Sequence, residues 1–283
     1  MAVRLANVKG RAAIVIGDRF ADVERASKGR FSADPMAALR DWAAFASWAR
    51  TLAGSVCEGT VKEADLEPPV PRPSKVFAIG MNYRAHAAEA GMPIPSSPVV
   101  FTKFPNCLVG PRAAVELTSA FVDWEVELVA VIGRRGRRIS EAQAFEYVAG
   151  YCVGQDISDR KLQFADTPPQ FSMGKSADTF GPIGPVLVSL DGFANPNDLA
   201  LSCDVAGERM QDARTSDLIF SVPQLVAFLS GLCTLEPGDL IFTGTPSGVG
   251  STRSPRRYLQ PNEEIVSTIE GIGTIVNRCR ATR

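Results

Sequence analysis

The fold is decided by the stretch Asp123-Trp124-Glu125-Val126-Glu127-Leu128-Val129-Ala130-Val131-Ile132. Its second half is a continuous apolar run rich in β-branched residues, which is typical of a buried strand. Because side chains alternate along a strand, Glu125 and Glu127 point to one side and Val126 to the other. The sequence therefore predicts a strand that presents two carboxylates side by side where it begins.

Two neighbouring carboxylates beside an apolar run are costly, because like charges repel in a low dielectric and raise each other's pKa. A hard divalent cation such as Mg²⁺ or Mn²⁺ removes this cost, since it takes oxygen ligands. The alternative is a solvated edge strand, because Glu-x-Glu is common on exposed strands.

A third acid, Asp156, stands at the end of the apolar strand predicted over residues 151–153. An acid at a strand end is a usual origin for a metal ligand, although an aspartate that forms a turn is the alternative. Three acids neutralise a divalent ion and leave positions open for water or substrate. The predicted metal ligands are thus Glu125, Glu127 and Asp156.

The remainder of residues 74–283 consists of short apolar runs separated by glycine and proline. This pattern predicts a mainly β domain of the α+β class, with brief helices over residues 140–148 and 222–230. This part of the chain holds all the candidate site residues, and we predict that it is the catalytic domain.

Residues 1–67 show a different pattern and predict a small N-terminal α/β domain. A strand is expected over residues 12–16, followed by a helix that Asp34-Pro35 begins and that continues to Leu52 with apolar residues at helical spacing. The proline-rich segment 68–73 disfavours both helix and strand pairing, so it is predicted to be a linker.

Composition excludes several classes of protein. The net charge of −1 provides no positive field that would attract nucleic acid or anionic lipid. The six cysteines are widely scattered, which argues against a zinc ribbon or a disulfide scaffold and favours reduced thiols in the cytoplasm. No run has the length of a membrane span, and the beginning of the chain has no signal-peptide pattern.

Residues 82–91 predict a short helix with Asn82 as its cap and Gly91 as its end. His86 and Glu89 lie three residues apart and therefore on one face of this helix. His86 is the only histidine of the chain, and Glu89 could fix its tautomer and make it a better base. The alternative is an ordinary surface pair.

Two further segments have features of an anion-binding pocket. The Gly-rich turn over residues 243–250 offers hydroxyl and backbone N–H groups to a carboxylate, although such a turn is often a plain loop. Lys175 is flanked by small residues, which would suit a pocket, whereas most lysines are simply solvated.

The chain resembles the fumarylacetoacetate hydrolase superfamily. The resemblance covers roughly residues 72–280 and rests on six motifs in the family's order, which are Ile79-Gly80-Met81-Asn82-Tyr83 through His86 and Glu89, Glu125-Val126-Glu127-Leu128, Gln155-Asp156-Ile157-Ser158-Asp159-Arg160, Gly174-Lys175-Ser176, Pro237-Gly238-Asp239, and Thr243-Gly244-Thr245-Pro246 through Gly250. It is most similar to the branch of the acylpyruvate hydrolases and the 2-hydroxyhepta-2,4-diene-1,7-dioate isomerases.

The resemblance implies a mixed β-sandwich roll and a homodimer. It implies that Glu125, Glu127 and Asp156 bind Mg²⁺ or Mn²⁺ and that Lys175 lies at the reacting centre. It also implies a water-activating dyad of His86 and Glu89 on a lid helix. The residues implied as substrate contacts are Tyr83, Arg160, Gln163 and Thr245.

The expected function is the metal-dependent hydrolysis of the C–C bond of an acylpyruvate, such as a fumarylpyruvate-like compound of aromatic catabolism, to pyruvate and an acid. Oxaloacetate decarboxylation and isomerisation or tautomerisation of a 2-hydroxy-diene-dioate are alternatives that use the same metal and enolate. A metal-stabilised scaffold without activity is the alternative from another class. The predicted partner is a small 2-oxo carboxylate, with no nucleic acid and no membrane.

Overall fold

The computed structural model of the protein describes residues 2–52 and 56–282. Within these ranges the strands are β1 (Arg4–Val8), β2 (Arg11–Ile16), β3 (Arg19–Asp22), β4 (Gly59–Thr60), β5 (Leu66–Glu67), β6 (Val76–Gly80), β7 (Val99–Thr102), β8 (Leu108–Val109), β9 (Val115–Leu117), β10 (Val122–Asp123), β11 (Val126–Ile132), β12 (Val148–Gln155), β13 (Ser158–Asp159), β14 (Gly181–Ser189), β15 (Ala200–Val205), β16 (Glu208–Arg214), β17 (Leu240–Phe242), β18 (Glu264–Ile269) and β19 (Gly273–Ala281).

The α-helices within the same ranges are short. They are α1 (Val23–Ala26), α2 (Pro35–Arg40), α3 (Trp42–Ala49), α4 (Arg84–Glu89), α5 (Arg160–Gln163), α6 (Phe171–Gly174) and α7 (Val222–Leu232). The chain is therefore mainly β with short helices, as its sequence predicts. None of these helices combines the length and the apolar composition that crossing a membrane requires.

The strands form three sheets. The largest has 12 strands in the order β4-β3-β2-β1-β14-β12-β11-β17-β6-β7, with β5 added to β1 and β8 added to β14. A second sheet has 5 strands in the order β16-β15-β18-β19-β9, and β10 pairs with β13 in a third. Parallel and antiparallel pairs occur together, so the sheets are mixed.

Strand β11 lies near the middle of the largest sheet, between β12 and β17 and antiparallel to both. Every residue of β11 is buried. Val126 and Leu128 pack into one hydrophobic cluster, whereas Val129 and Val131 pack into a second cluster on the other face. The alternation predicted from the sequence is thus confirmed, and it explains why the run is apolar at successive positions.

The N-terminal strands extend the largest sheet rather than forming a sheet of their own. Strand β1 is antiparallel to β14, with Arg4 opposite Val188. The proline-rich segment after β5 is anchored as well, because the side chain of Asn7 donates to the carbonyl of Pro68 at 3.0 Å and Val70 is fully buried. The division of the chain into two domains and a linker stays a prediction.

The predicted helix after Asp34-Pro35 is two helices, α2 and α3. Asp34 caps α2 as predicted, and its carboxylate accepts from the N–H of Met36 at 3.1 Å. The prediction of one helix to Leu52 is wrong, because Asp41 leaves helical geometry and its carboxylate accepts from the N–H of Ala44. An aspartate side chain competes for backbone donors and so favours a cap over a helix interior.

The two helices predicted in the β domain have different outcomes. The helix predicted over residues 222–230 is confirmed as α7. The helix predicted over residues 140–148 is also present, as a 3-10 helix over Glu141–Tyr147 rather than an α-helix.

Asn82 is not the cap of α4, which is the helix predicted over residues 82–91. Tyr83 holds the cap position without a side-chain hydrogen bond. The buried amide of Asn82 instead donates to the carbonyls of Thr243 and Phe220, at 2.7 and 3.0 Å, and accepts from the N–H of Phe220 at 2.8 Å. Asn82 therefore joins the segment before α4 to two loops that are distant in sequence.

Replacing Asn82 with alanine is expected to lower the free energy of unfolding by roughly 2–4 kcal/mol, because three backbone groups lose their partner in the interior. Urea unfolding followed by circular dichroism measures this change. The control is Asn195→Ala, since Asn195 is exposed and bonds only its own turn. A change below about 0.5 kcal/mol for Asn82→Ala, as expected for the control, would show that the three contacts contribute little.

Candidate metal centre and active site

The structure brings the three predicted metal ligands together. Glu125 directly precedes β11, Glu127 lies on it, and Asp156 directly follows β12. Because β11 and β12 are antiparallel with Val126 opposite Gln155, Asp156 comes to lie beside Glu125, and its N–H donates to the Glu125 carbonyl at 2.9 Å. One carboxylate oxygen from each of the three residues lies within 4.8 Å of the other two.

Two lysines contact this carboxylate group, and both are almost completely buried. The ammonium of Lys175 lies 2.9 Å from Glu125 Oε2 and 2.6 Å from Asp156 Oδ2. The ammonium of Lys103 lies 2.6 Å from Asp156 Oδ1 and also donates to the carbonyls of Lys175 and Phe180. Both oxygens of Asp156 therefore accept from a cation.

Arg160 adds a third positive charge. Its guanidinium donates to Glu125 Oε1 at 2.6 Å, to Asp123 Oδ2 at 2.9 Å and to Gln163 Oε1 at 2.9 Å. These bonds show that Arg160 holds Glu125 in place, and its role as a substrate contact stays a prediction.

The environment separates the acid strengths of the two glutamates. Burial would raise the pKa of Glu125, but the charges of Lys175 and Arg160 outweigh it and lower the pKa to about 2. Burial raises the pKa of Glu127 well above its usual value, and the charges of Asp156 and Glu125 raise it further. The repulsion among the three carboxylates therefore acts mainly on Glu127, whose pKa it raises.

These residues fit a divalent cation. The donor set consists of three carboxylates, which is the chemistry that Mg²⁺ and Mn²⁺ prefer. Glu127 accepts from the N–H of Gly244 at 2.7 Å, and no cation contacts its carboxylate within the described residues. A cation between the three acids would relieve the repulsion that raises the pKa of Glu127.

Lys103 was missed by the sequence analysis. It follows β7 as a single lysine between Thr102 and Phe104, and nothing in this local pattern distinguishes it from a solvated lysine. Its burial results from a fold that places Asp156 and two carbonyl oxygens around its ammonium. A buried lysine is stable only with such partners.

The predicted pair of His86 and Glu89 is formed on α4. His86 Nδ1 lies 3.3 Å from Glu89 Oε2, and His86 is 9% exposed. The carboxylate of Glu89 also accepts from the N–H of Gly248 at 3.0 Å. Burial raises the pKa of Glu89, but the bonds from His86 and Gly248 outweigh it and hold this pKa below its usual range. Glu89 thus remains an anionic acceptor that can orient the imidazole.

A cavity of about 340 Å³ is lined by only some of these groups, and Glu127, Asp156 and Glu89 lie outside its lining. The predicted site residues that line it are His86, Glu125, Arg160, Gln163, Lys175 and Thr245. Phe101 and Phe171 form an apolar part of its wall. The volume is within the range of small-molecule sites.

Tyr83 does not line this cavity, although it is one of the expected substrate contacts. It is 1% exposed and packs in the hydrophobic core, and its hydroxyl has no partner among the described residues. The reason is its position just before α4, where it forms a β-bridge with Leu218 and faces the interior.

The Gly-rich turn over residues 243–250 has a different role from the one expected. Its N–H groups bind carboxylates of the protein itself, since Gly244 donates to Glu127, Gly248 to Glu89 and Gly250 to Asp123. Thr245 is likewise engaged, because its hydroxyl donates to the Val126 carbonyl at 2.9 Å. The turn therefore joins the carboxylate group to the helix that carries His86.

Comparison with known proteins places this site in a family. Residues 75–280 match the family model described as fumarylacetoacetate (FAA) hydrolase, C-terminal. A mitochondrial oxaloacetate tautomerase, FAHD2B of Bos taurus, is 43% identical over 218 residues, which are 76% of this chain and 69% of the relative.

Two solved structures are similar over nearly the whole chain. A protein from Mycobacterium smegmatis, described as a candidate HpcE protein, is 48% identical with a TM-score of 0.94, over 99% of this chain and 100% of that one. The maleylpyruvate hydrolase of Sphingobium sp. SYK-6, solved with a manganese(II) ion and pyruvate, is 28% identical with a TM-score of 0.83, over 99% of this chain and 100% of the hydrolase.

Proposed function

Because the chain belongs to the fumarylacetoacetate hydrolase family, we propose that it is a divalent-metal-dependent tautomerase or isomerase of 2-oxo dicarboxylic acids such as oxaloacetate. In this reaction an enol O–H proton is lost and a proton is gained at the carbon next to the 2-oxo group, or the reverse. The observation that carries the proposal is that Glu125, one member of the three-carboxylate group, lines the same cavity as Lys175 and His86. The similarity to a tautomerase at 43% identity supports this choice of reaction.

The proposed roles follow from the contacts. A Mg²⁺ or Mn²⁺ ion held by Glu125, Glu127 and Asp156 would supply a Lewis acid for the oxygens of the 2-oxo acid. Lys175, which is buried, donates a hydrogen bond to the oxygen that becomes negative on enolisation. His86, oriented by Glu89, accepts the proton from one atom of the substrate and returns it to another.

A second candidate reaction is the hydrolysis of an acylpyruvate, which was the expectation from the sequence. The observation that favours it is the His86–Glu89 pair, because a base oriented by a carboxylate can also remove a proton from water. That water would attack the carbonyl at C4, the C3–C4 bond would break, and the departing enolate would be protonated to pyruvate. Similarity to maleylpyruvate hydrolase supports this reaction, at the lower identity of 28%.

The test is an assay of the purified protein with oxaloacetate and fumarylpyruvate, with Mn²⁺ or Mg²⁺ and with a chelator. We expect the enol absorbance of oxaloacetate to fall faster with the protein than without it. This acceleration should disappear with chelator and return when Mn²⁺ is added. Release of pyruvate from fumarylpyruvate would identify the hydrolase instead. A protein that loses thermal stability with chelator but shows no turnover on either compound would be a metal-stabilised scaffold.

A further inference from the structure

A second cleft, of about 740 Å³, adjoins the cavity that contains Lys175 and His86. Both spaces are lined by Ala90, Arg160, Phe164, Ser251 and Thr252, so these residues form the passage between them. We call the second space the outer cleft. Its remaining lining residues are Phe121, Lys161, Ala165, Arg256 and Tyr258.

The outer cleft is positively charged. Among the described residues it is lined by Arg160, Lys161 and Arg256 and by no acid. Arg160 is already engaged with Asp123 and Glu125, whereas Lys161 and Arg256 are exposed and form no ion pair within the described chain. The charges of these two residues are therefore available to an anion that enters the cleft.

Asp159 is the acid nearest to Lys161 in the sequence, but the two side chains form no ion pair within the described chain. Asp159 precedes α5, and its carboxylate accepts from the backbone N–H groups of Lys161 and Leu162 and from the hydroxyl of Thr118. It caps the helix, and Lys161 is exposed.

We call the cavity that contains Lys175 and His86 the inner cavity. Aromatic rings line the route from this inner cavity to Lys161 and Arg256. Phe101 packs on Phe171 with ring centroids 5.6 Å apart, and Phe171 packs on Phe164 at 6.0 Å. In the outer cleft Phe121 and Tyr258 form an edge-to-face pair at 5.4 Å. Phe121 and Phe164 are 44% and 56% exposed, so their faces are accessible to a flat apolar group.

Asp123 fixes the two walls of the cleft relative to each other. Its fully buried carboxylate binds Arg160 of α5 at 2.9 Å on one wall. It also accepts from the N–H groups of Gly250 at 2.7 Å and Ser251 at 2.9 Å on the other. These three bonds fix the separation of the two walls, as a preorganised binding site requires.

From these observations we infer that the outer cleft is a second anionic subsite, in which Lys161 and Arg256 bind a carboxylate at the far end of the substrate. The aromatic walls fit an unsaturated or aromatic chain between this carboxylate and the 2-oxo acid. The inference rests on the proposed function, because that function places the 2-oxo acid in the inner cavity. It makes Lys161 and Arg256 determinants of specificity and gives them no part in the chemical step.

The test compares two ligands that differ only in the far carboxylate, 4-carboxyphenylpyruvate and phenylpyruvate, by calorimetry on the Mn²⁺-loaded protein. We expect 4-carboxyphenylpyruvate to bind about tenfold more tightly, which corresponds to one charge-assisted contact. The double variant Lys161→Gln/Arg256→Gln is expected to lose this preference while its Kd for phenylpyruvate stays unchanged. Both positions are exposed, so the variant should fold.

The control is Lys62→Gln, which removes an exposed lysine that lines neither space, and it should keep the preference. Equal binding of the two ligands by the unmodified protein, or an unchanged preference in the double variant, would overturn the inference and leave the proposed function standing. Binding of neither ligand would also overturn the inference, and the assay with oxaloacetate would then decide separately whether the proposed function stands.

Discussion

Replacing Glu127 with glutamine is expected to abolish metal-dependent turnover while leaving the metal-free protein as stable as the unmodified protein, or slightly more stable. Burial and the charges of Asp156 and Glu125 raise the pKa of Glu127. The raised pKa favours the protonated carboxyl group when no cation is bound, and a glutamine closely resembles that form. The amide oxygen can still accept from the N–H of Gly244. A divalent ion, however, loses an anionic ligand.

Glu125→Gln is the matched control for this prediction. The pKa of Glu125 is lowered to about 2, so this residue is charged near neutral pH. Its replacement leaves the buried cations of Lys175 and Arg160 with one acid fewer. We expect a loss of about 3–5 kcal/mol in the free energy of unfolding of the metal-free protein, as is usual when one member of a buried ion pair is removed.

Thermal unfolding with chelator and with Mn²⁺ distinguishes the two variants. The unmodified protein should gain stability with Mn²⁺, because an ion that binds the folded state shifts the unfolding equilibrium. Glu127→Gln should keep the chelated melting temperature and lose this gain, whereas Glu125→Gln should already melt lower in chelator. If Glu127→Gln gains as much stability from Mn²⁺ as the unmodified protein, Glu127 is not a metal ligand.

Replacing His86 with asparagine is expected to lower kcat by about 10²–10⁴, the usual contribution of a positioned base. Asparagine can still donate to Glu89 but cannot take up a proton near neutral pH. His86 forms no hydrogen bond with the three carboxylates in the described structure, so the stabilisation by Mn²⁺ should be largely unchanged. Steady-state kinetics together with metal-dependent melting measure both properties.

Glu89→Gln provides the graded comparison for His86. It keeps an acceptor for the imidazole and for the N–H of Gly248 but removes the negative charge of the carboxylate that orients the ring. A smaller decrease in kcat than for His86→Asn is expected, with the metal response again intact. Wild-type turnover by His86→Asn on both oxaloacetate and fumarylpyruvate would remove His86 from the proposed chemistry.

Local patterns in the sequence were sufficient to predict the strand β11 and to predict that two pairs of side chains lie next to each other. The alternation of a strand places Glu125 and Glu127 on one side, and the period of a helix places His86 beside Glu89. Both periods are fixed by backbone geometry, so residues a few positions apart can be related without knowledge of the fold. The ordered motifs of residues 72–280 added the family.

The tertiary structure alone decided which distant residues complete the site. The pairing of β11 with β12 brings Asp156 to Glu125, and the path of β7 brings Lys103 to Asp156 across 53 residues. The turn over residues 243–250 binds carboxylates of the protein, and Asn82 bridges loops, because partners distant in sequence satisfy these polar groups. Local periodicity carries no information about such partners, since sheet register and chain packing determine their contacts.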